Sequence, residues 1–317
     1  MLTRAPRALA VALSALTVTA LTLTAGCSGD TKADRAGSPA TSGAPAASFP
    51  VTVGKVTLAA RPEKIVSLSP TATEMLFAIG AGKQVTAVDE NSNYPPEAPK
   101  GDLSGFQPNA EAIAAKNPDL VVISNDLNKI VDQLTQLKIP VFLAPAAVTL
   151  DDTYRQTGDL GTLTGHPAEA KAVVDKMKSD IAQIITTVPQ RATKPTYYYE
   201  LGKELYSVTS KTFVGSLFTM AGLTNIADPA DADGAKGGYP QLSEEFIVKA
   251  NPDYVFLADT KCCGQSPATV KARSGWSNVT AVTKDQIVGL DDDIASRWGP
   301  RVVDLLRTIV TSTTKAG

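Results

Sequence analysis

Two stretches of the chain carry the same pattern of apolar and polar positions. Residues 111–124 read EAIAAKNPDLVVIS and residues 245–258 read EFIVKANPDYVFLA. Their triplets, Asn117-Pro118-Asp119 and Asn251-Pro252-Asp253, lie 134 residues apart. Each copy predicts a short helix, a proline-marked turn and a strand. The strands, residues 120–123 and 254–257, are unbroken apolar runs, which suits the middle of a parallel sheet covered on both faces. A second, weaker echo runs in the same order: Leu76-Phe77-Ala78-Ile79-Gly80-Ala81 against Leu217-Phe218-Thr219-Met220-Ala221-Gly222. Two such units predict two similar α/β lobes with a cleft between them, where small ligands usually bind.

The rest of the pattern fills in these lobes. Residues 51–58 alternate loosely and read as an edge hairpin. Further strands are expected at 64–69, 84–88, 141–143, 196–201 and 286–290. Pro70 stops the first of these, and Thr71-Ala72-Thr73-Glu74 then matches a capping box. Asn109 and Ser243 read as N-caps. Residues 151–188 are helical, with a break at Gly165-His166-Pro167. Beyond it Val173, Met177, Ile181, Ile184 and Val188 recur at helical spacing, and this stretch is expected to connect the lobes. Residues 228–238, rich in Asp, Ala and Gly, predict a mobile loop, and residues 260–274 a polar one. Residues 301–310 read as the closing helix. The expected organisation is a first lobe at 56–165, a connecting helix at 166–192 and a second lobe at 193–317.

Ahead of these lobes the composition changes. Arg4 and Arg7 precede an uncharged, small-residue apolar run, which reads as a secretory signal over residues 1–26. The signal ends in Thr24-Ala25-Gly26-Cys27, similar to the bacterial lipoprotein cleavage box, so Cys27 is the expected lipidation site. Plain secretion is the alternative. Residues 27–55 are dominated by Ala, Gly, Ser, Pro and Thr and predict a flexible tether. The expected location is the outer face of the cell membrane, held there by lipid. The chain's 30 Lys+Arg against 32 Asp+Glu, with no basic run, argue against nucleic acid.

Candidate chemistry is sparse. No nucleophile elbow, Walker loop or zinc spacing occurs, so neither catalytic residues nor a metal or other resident cofactor is expected. His166, the only histidine, sits at a helix break and reads as structural. Cys262-Cys263 is an adjacent pair in an exported protein, where oxidation favours disulfides. It reads as a vicinal disulfide, with free thiols or a link to another chain as alternatives. Glu111 and Glu245 occupy the first turn of the matched helices. They serve either the helix dipole or a partner with two matched positive sockets.

Five blocks, SLSPTATEMLFAIGA, NYPPEA, EAIAAKNPDLVVIS, GYPQLSEEFIVKANPDYVFLAD and RWGPR, together resemble the solute-binding proteins of ABC importers for metal chelates: ferric siderophores, haem or cobalamin. The resemblance runs from about residue 61 to the C-terminus. It implies class III periplasmic-binding-protein architecture, with two Rossmann-like lobes, one rigid backbone helix and little closure. It also implies a monomeric, non-enzymatic receptor that hands its chelate to a permease and ATPase, with Glu111 and Glu245 docking onto permease arginines. Block order is most similar to the cobalamin branch. By position Tyr206 and Tyr239 match its aromatic contacts, and Asp293 and Arg297 its polar ones. Three of its first-lobe aromatics fall here on Asn91, Gly105 and Ser124, with Tyr94 and Phe106 as neighbouring substitutes and Trp298 beside Arg297. A ferric siderophore is the other strong candidate, haem a third. An enzyme cleft acting on a chelate, or a scaffold without ligand, are the competing classes.

Overall fold

The structure is a computed structural model and describes residues 48–314. The expected signal segment and Cys27 lie outside the described residues. A hairpin comes first, with β1 (Val51–Val53) antiparallel to β2 (Val56–Leu58). Phe49, Val51 and Val53 pack against the first-lobe core, so the body begins before the expected boundary at residue 56.

Two four-stranded parallel sheets follow. The first holds β3 (Ile65–Leu68), β4 (Val85–Val88), β5 (Leu120–Ile123) and β6 (Val141–Leu143), in the order β4-β3-β5-β6. The second holds β7 (Thr196–Glu200), β8 (Thr224–Asn225), β9 (Tyr254–Leu257) and β10 (Ile287–Gly289), in the order β10-β9-β7-β8. Read from the second strand of each set, the two orders are identical. In β3, β5 and β9 every residue is buried, as the unbroken apolar runs of β5 and β9 require.

The repeated triplet has a structural reason. Asn117 and Asn251 both adopt left-handed backbone, at φ 50° and 48°, which ends the preceding helix. Asn tolerates this conformation better than most residues. The Asp two positions on then ties down the start of the neighbouring central strand. Asp119 accepts the Glu63 and Lys64 N–H groups at 2.8 and 2.9 Å, ahead of β3. Asp253 accepts the Thr196 N–H at 2.8 Å and its hydroxyl at 3.1 Å, at the first residue of β7. One device is thus used once per lobe.

Two helices join the lobes. In Pro167–Thr186, Ala170 enters the first-lobe core, Met177, Ile181 and Ile184 enter the second, and Val173 touches both. Alongside it, Leu150–Thr164 sends Leu160 and Leu163 into the first core and packs Leu150 and Tyr154 against the second. Their approach is close: a Cβ on Gly161 would lie 2.3 Å from that of Ala170. Such a paired spine, packed into both cores, resists hinge bending. The second core is completed by Val302–Thr314.

Three local expectations are corrected. The helix Pro70–Ala78 starts at Pro70, not after it. Ser69 is its cap and accepts the Ala72 N–H at 3.3 Å, while Pro70 sits where its missing N–H costs nothing. Glu74 therefore caps nothing. Residues 228–238 are pinned rather than loose. Asp228 accepts the Ser210 N–H and hydroxyl at 2.7 and 2.8 Å, and Asp231 accepts the Lys236 and Gly238 N–H groups, each at 2.7 Å. Residues 260–274 contain two short helices, Thr260–Cys263 and Pro267–Lys271, the second closed by a Ser266–Thr269 capping box. Among the described residues no helix is long and apolar enough to cross a membrane.

Candidate functional site

Parallel strands deliver the loops at their C-terminal ends to one edge, where open α/β folds place their ligands. In the first lobe that edge carries Leu68 at the end of β3 with Ser69 after it, Asp89 after β4, and Ser124 and Asn125 after β5. With Asp293, Ser296, Arg297 and Trp298 from the second lobe they line an open cleft of about 380 Å³. Asn91 and Phe106 complete it, and Phe106 is the most exposed large apolar side chain among the described residues, at 69%. Such a size suits a drug-sized ligand or part of a larger one.

The two lobes are locked at the cleft floor. Arg297 is buried and donates through Nη1 to Glu74 at 2.8 Å. Its Nη2 donates to the Asn91 carbonyl at 3.0 Å, and to Asn93 Oδ1 and Asp293 Oδ1, each at 2.9 Å. Arg301 also grips Glu74, its Nε lying 3.0 Å from Oε2. Asn93 returns a hydrogen bond to Asp293 at 3.2 Å. Arg297 was expected among the polar ligand contacts. It lines the cleft, but both terminal nitrogens are committed to protein acceptors, because a buried guanidinium must be paired.

The other expected ligand residues separate into groups. Asn91, Phe106, Asp293 and Trp298 line the cleft with Arg297. Trp298 packs against both cores and donates its indole N–H to Gln156 at 3.0 Å. Tyr94 does not line it. Its ring lies 4.0 Å beneath the Arg301 guanidinium and faces a second cavity of about 350 Å³ with Phe77, Pro95 and Pro300. This cation–π stack holds it away from the main cleft. Tyr206 and Tyr239 are half exposed and absent from the cleft lining. Tyr206 follows β7, paired with Gln241 in an isolated bridge, so both tyrosines belong to the loops at the C-terminal end of the second sheet. Glu111 and Glu245 are exposed in the first turns of Ala110–Ala114 and Glu244–Ala250.

Cys262 and Cys263 are free and exposed, so the vicinal disulfide is not formed. Adjacent Cα atoms stand about 3.8 Å apart, below the roughly 4.4–6.8 Å span of a relaxed disulfide. The helical turn they occupy is instead held by Asp292, which accepts the N–H groups of Thr260, Lys261 and Cys262, each at 2.9 Å. The Cys263 thiol, burial and nearby carboxylates push the Cys262 thiol up to about 12. His166 lies at the helix break, 3.1 Å from Gln84 Oε1 and 2.6 Å from Arg61, none of which lines the cleft.

Electrostatics add two carboxylates that sequence reasoning missed. Burial raises Asp89 above the ordinary carboxylate range, and a hydrogen bond from Ser92 offsets only part of that. Its place one residue beyond β4 was the available signal. Beyond β9 lies Asp259, fully buried, with neither carboxylate oxygen hydrogen-bonded. Burial and the neighbouring Glu200 push it up to about 7. Glu200 takes Arg273 through both its oxygens. Burial also raises Asp293, but Lys261, Arg297 and Asn93 outweigh it, leaving that carboxyl low and ionised. Among the described residues no three His, Cys, Asp or Glu side chains gather as a metal-ligand set. The cleft offers hydroxyls, amides, two carboxylates, an aromatic rim and no nucleophile paired with a base.

The model of the family described as periplasmic binding protein matches residues 65–294. A cobalamin-binding protein of Halobacterium salinarum is 34% identical over 272 residues, covering 82% of this chain and 73% of that one. An uncharacterised ABC transporter substrate-binding lipoprotein of Bacillus subtilis is 30% identical over 270 residues, covering 81% and 83%. Among solved structures, a possible iron-binding periplasmic solute-binding protein of Staphylococcus epidermidis superposes with a TM-score of 0.68. It is 26% identical, over 80% of this chain and 99% of that one.

Proposed function

The chain belongs to the periplasmic binding protein family, and from that premise we propose that it captures a corrinoid outside the cytoplasm and delivers it to an ABC permease and its ATPase. The observation that carries the choice of ligand is the commitment of Arg297. It is the one cationic side chain lining the cleft, and its terminal nitrogens are held by Glu74, Asn91, Asn93 and Asp293. An anionic ferric siderophore or a haem propionate would find no free cation there. A corrinoid carries peripheral amides and a positively charged cobalt centre, which suit hydroxyl, amide and carboxylate partners. The cobalamin-binding relative supports the same choice. The iron-binding neighbour keeps a ferric chelate as the second reading.

On this reading the protein is a receptor and not an enzyme, with no resident cofactor, and acts as a monomer. Cys27 carries the lipid that holds it to the outer membrane face, in keeping with the lipoprotein relative. Phe106, Trp298, Tyr206 and Tyr239 supply apolar surface to the ligand. Glu111 and Glu245, one on each lobe, present exposed carboxylates to the permease.

Uptake of radiolabelled cobalamin by cells whose only receptor is this protein tests the reading. Deleting the receptor should remove uptake. Reversing both charges, Glu111→Lys with Glu245→Lys, should also remove it while the purified variant binds as well as the parent. Uptake that survives the double reversal rejects the docking assignment. Uptake that survives deletion rejects the receptor role.

A further inference from the structure

We propose that Asp89 sets the charge class of the ligand: its free carboxylate oxygen takes a hydrogen bond and a Coulomb attraction from a cationic, N–H-bearing chelate and turns anionic chelates away. The inference rests on the corrinoid reading and deepens it.

The geometry leaves one acceptor open in the first-lobe half of the cleft. Asp89 sits immediately after β4, and its N–H donates to the Ser67 carbonyl at 3.1 Å. Its carbonyl accepts the Ser92 N–H at 3.1 Å. Oδ1 accepts the Ser92 hydroxyl, which lies 2.9 Å from Thr73 Oγ1. The rotamer is therefore fixed. Oδ2 has no hydrogen-bond donor among the described residues. What stands beside Oδ2 is a glycine: a Cβ at Gly105 would come within 2.8 Å of it and 3.1 Å of the Leu68 carbonyl. Asp89 and Gly105 both line the cleft, so any other residue at 105 would crowd this oxygen on its cleft side.

The charges around it do not neutralise it. Glu90, its chain neighbour, is a like charge. Arg297 attracts it from the second lobe, but that guanidinium already holds Glu74 and Asp293. Asp293 adds a second carboxylate to the same lining. A carboxyl that is 2% exposed, with one oxygen unmatched, carries a desolvation cost that a positively charged ligand would relieve and an anionic one would increase. Burial holding its carboxyl above the ordinary carboxylate range is the signature of that unrelieved cost.

Two corrinoids of one scaffold but different charge isolate the effect: aquacyanocobinamide, a cation, and neutral dicyanocobinamide. The full-length chain in detergent is titrated with each at pH 8, as wild type and as Asp89→Asn. Wild type should prefer the cation, and the substitution should shrink the preference about tenfold, equivalent to about 1.4 kcal/mol. The bulk of the axial ligands cancels in the ratio between variants. An unchanged ratio overturns the proposal. If neither cobinamide binds the wild type, the corrinoid reading fails and the charge rule is read from haemin, a propionate-bearing anion. Haemin affinity should rise about tenfold on Asp89→Asn, and no rise overturns the rule. Should the variant not fold, the wild-type affinity for aquacyanocobinamide, whose charge is constant over the range, is followed from pH 8 to pH 4. It should weaken as Asp89 is protonated, and a constant affinity overturns the proposal.

Discussion

Single residues decide the electrostatic character of this protein more than any surface total does. Asp259 and Glu200 meet at the C-terminal edge of the second sheet, and of the two carboxylates only Glu200 receives donors from Arg273. Asp259 is left with burial and a like charge, which together push it up to about 7 from an ordinary 3.8. In the unfolded chain Asp259 loses its proton near its ordinary value, and in the folded chain near 7. Between the two the folded state binds the extra proton, so this group makes stability fall as pH rises through that window. Above 7 the cost is fully present. Asp259→Asn removes it, so the variant should gain thermal stability over wild type progressively from pH 5 to pH 8. Melting curves across that range check this, and two parallel stability profiles would contradict it. Asp89 follows the same physics with a different outlet, because its free oxygen faces the cleft while those of Asp259 face protein. Neither position was marked as a site in the sequence. A lone acid after a strand looks like any solvated turn residue until burial is known.

Elements were more legible than sites, for a physical reason. The strands β5 and β9, the caps Asn109 and Ser243 and the connecting helix rest on spacings within about a dozen residues, which the sequence displays directly. The repeat added a check that a single lobe lacks. Errors came where a long-range partner overrode a local pattern. Thr71-Ala72-Thr73-Glu74 has the spacing of a capping box, yet Glu74 is 3% exposed and serves Arg297 and Arg301, 223 and 227 positions away. Tyr94 was displaced from the ligand set by the same Arg301. Residues 228–238 read as loose because Asp228 and Asp231 are indistinguishable in sequence from solvated acids, whereas in the fold they accept backbone N–H groups. The lock at the cleft floor has a measurable strength. Removing Glu74 takes the carboxylate partner from Arg301 and unpairs Nη1 of Arg297 at the lobe junction, and breaking a buried pair in this way costs about 3–5 kcal/mol. Glu74→Ala should lower the urea midpoint by a corresponding amount. A loss below about 1 kcal/mol, the range of exposed pairs, would show that the junction is open to solvent.

At the scale of the whole molecule, the paired helices and the Glu74–Arg297–Arg301 lock describe a receptor whose lobes are already set at their working angle. Such a receptor recognises its ligand by the shape and charge of a preformed cleft, with little closure to adjust the fit. Its two tryptophans report on this unequally. Trp298 lines the cleft, while Trp276 is fully buried in the second lobe against Tyr198 and Arg273. Ligand capture should therefore quench Trp298 and leave Trp276 as an internal reference. The most direct measurement is a fluorescence titration of the full-length chain with cyanocobalamin, haemin and a ferric catecholate siderophore, each corrected for absorbance and repeated on Trp298→Phe. Saturable quenching by the corrinoid alone, lost in Trp298→Phe, is the predicted result. Saturable quenching by the ferric catecholate with none by the corrinoid would contradict the account and make Arg297 an anion receptor.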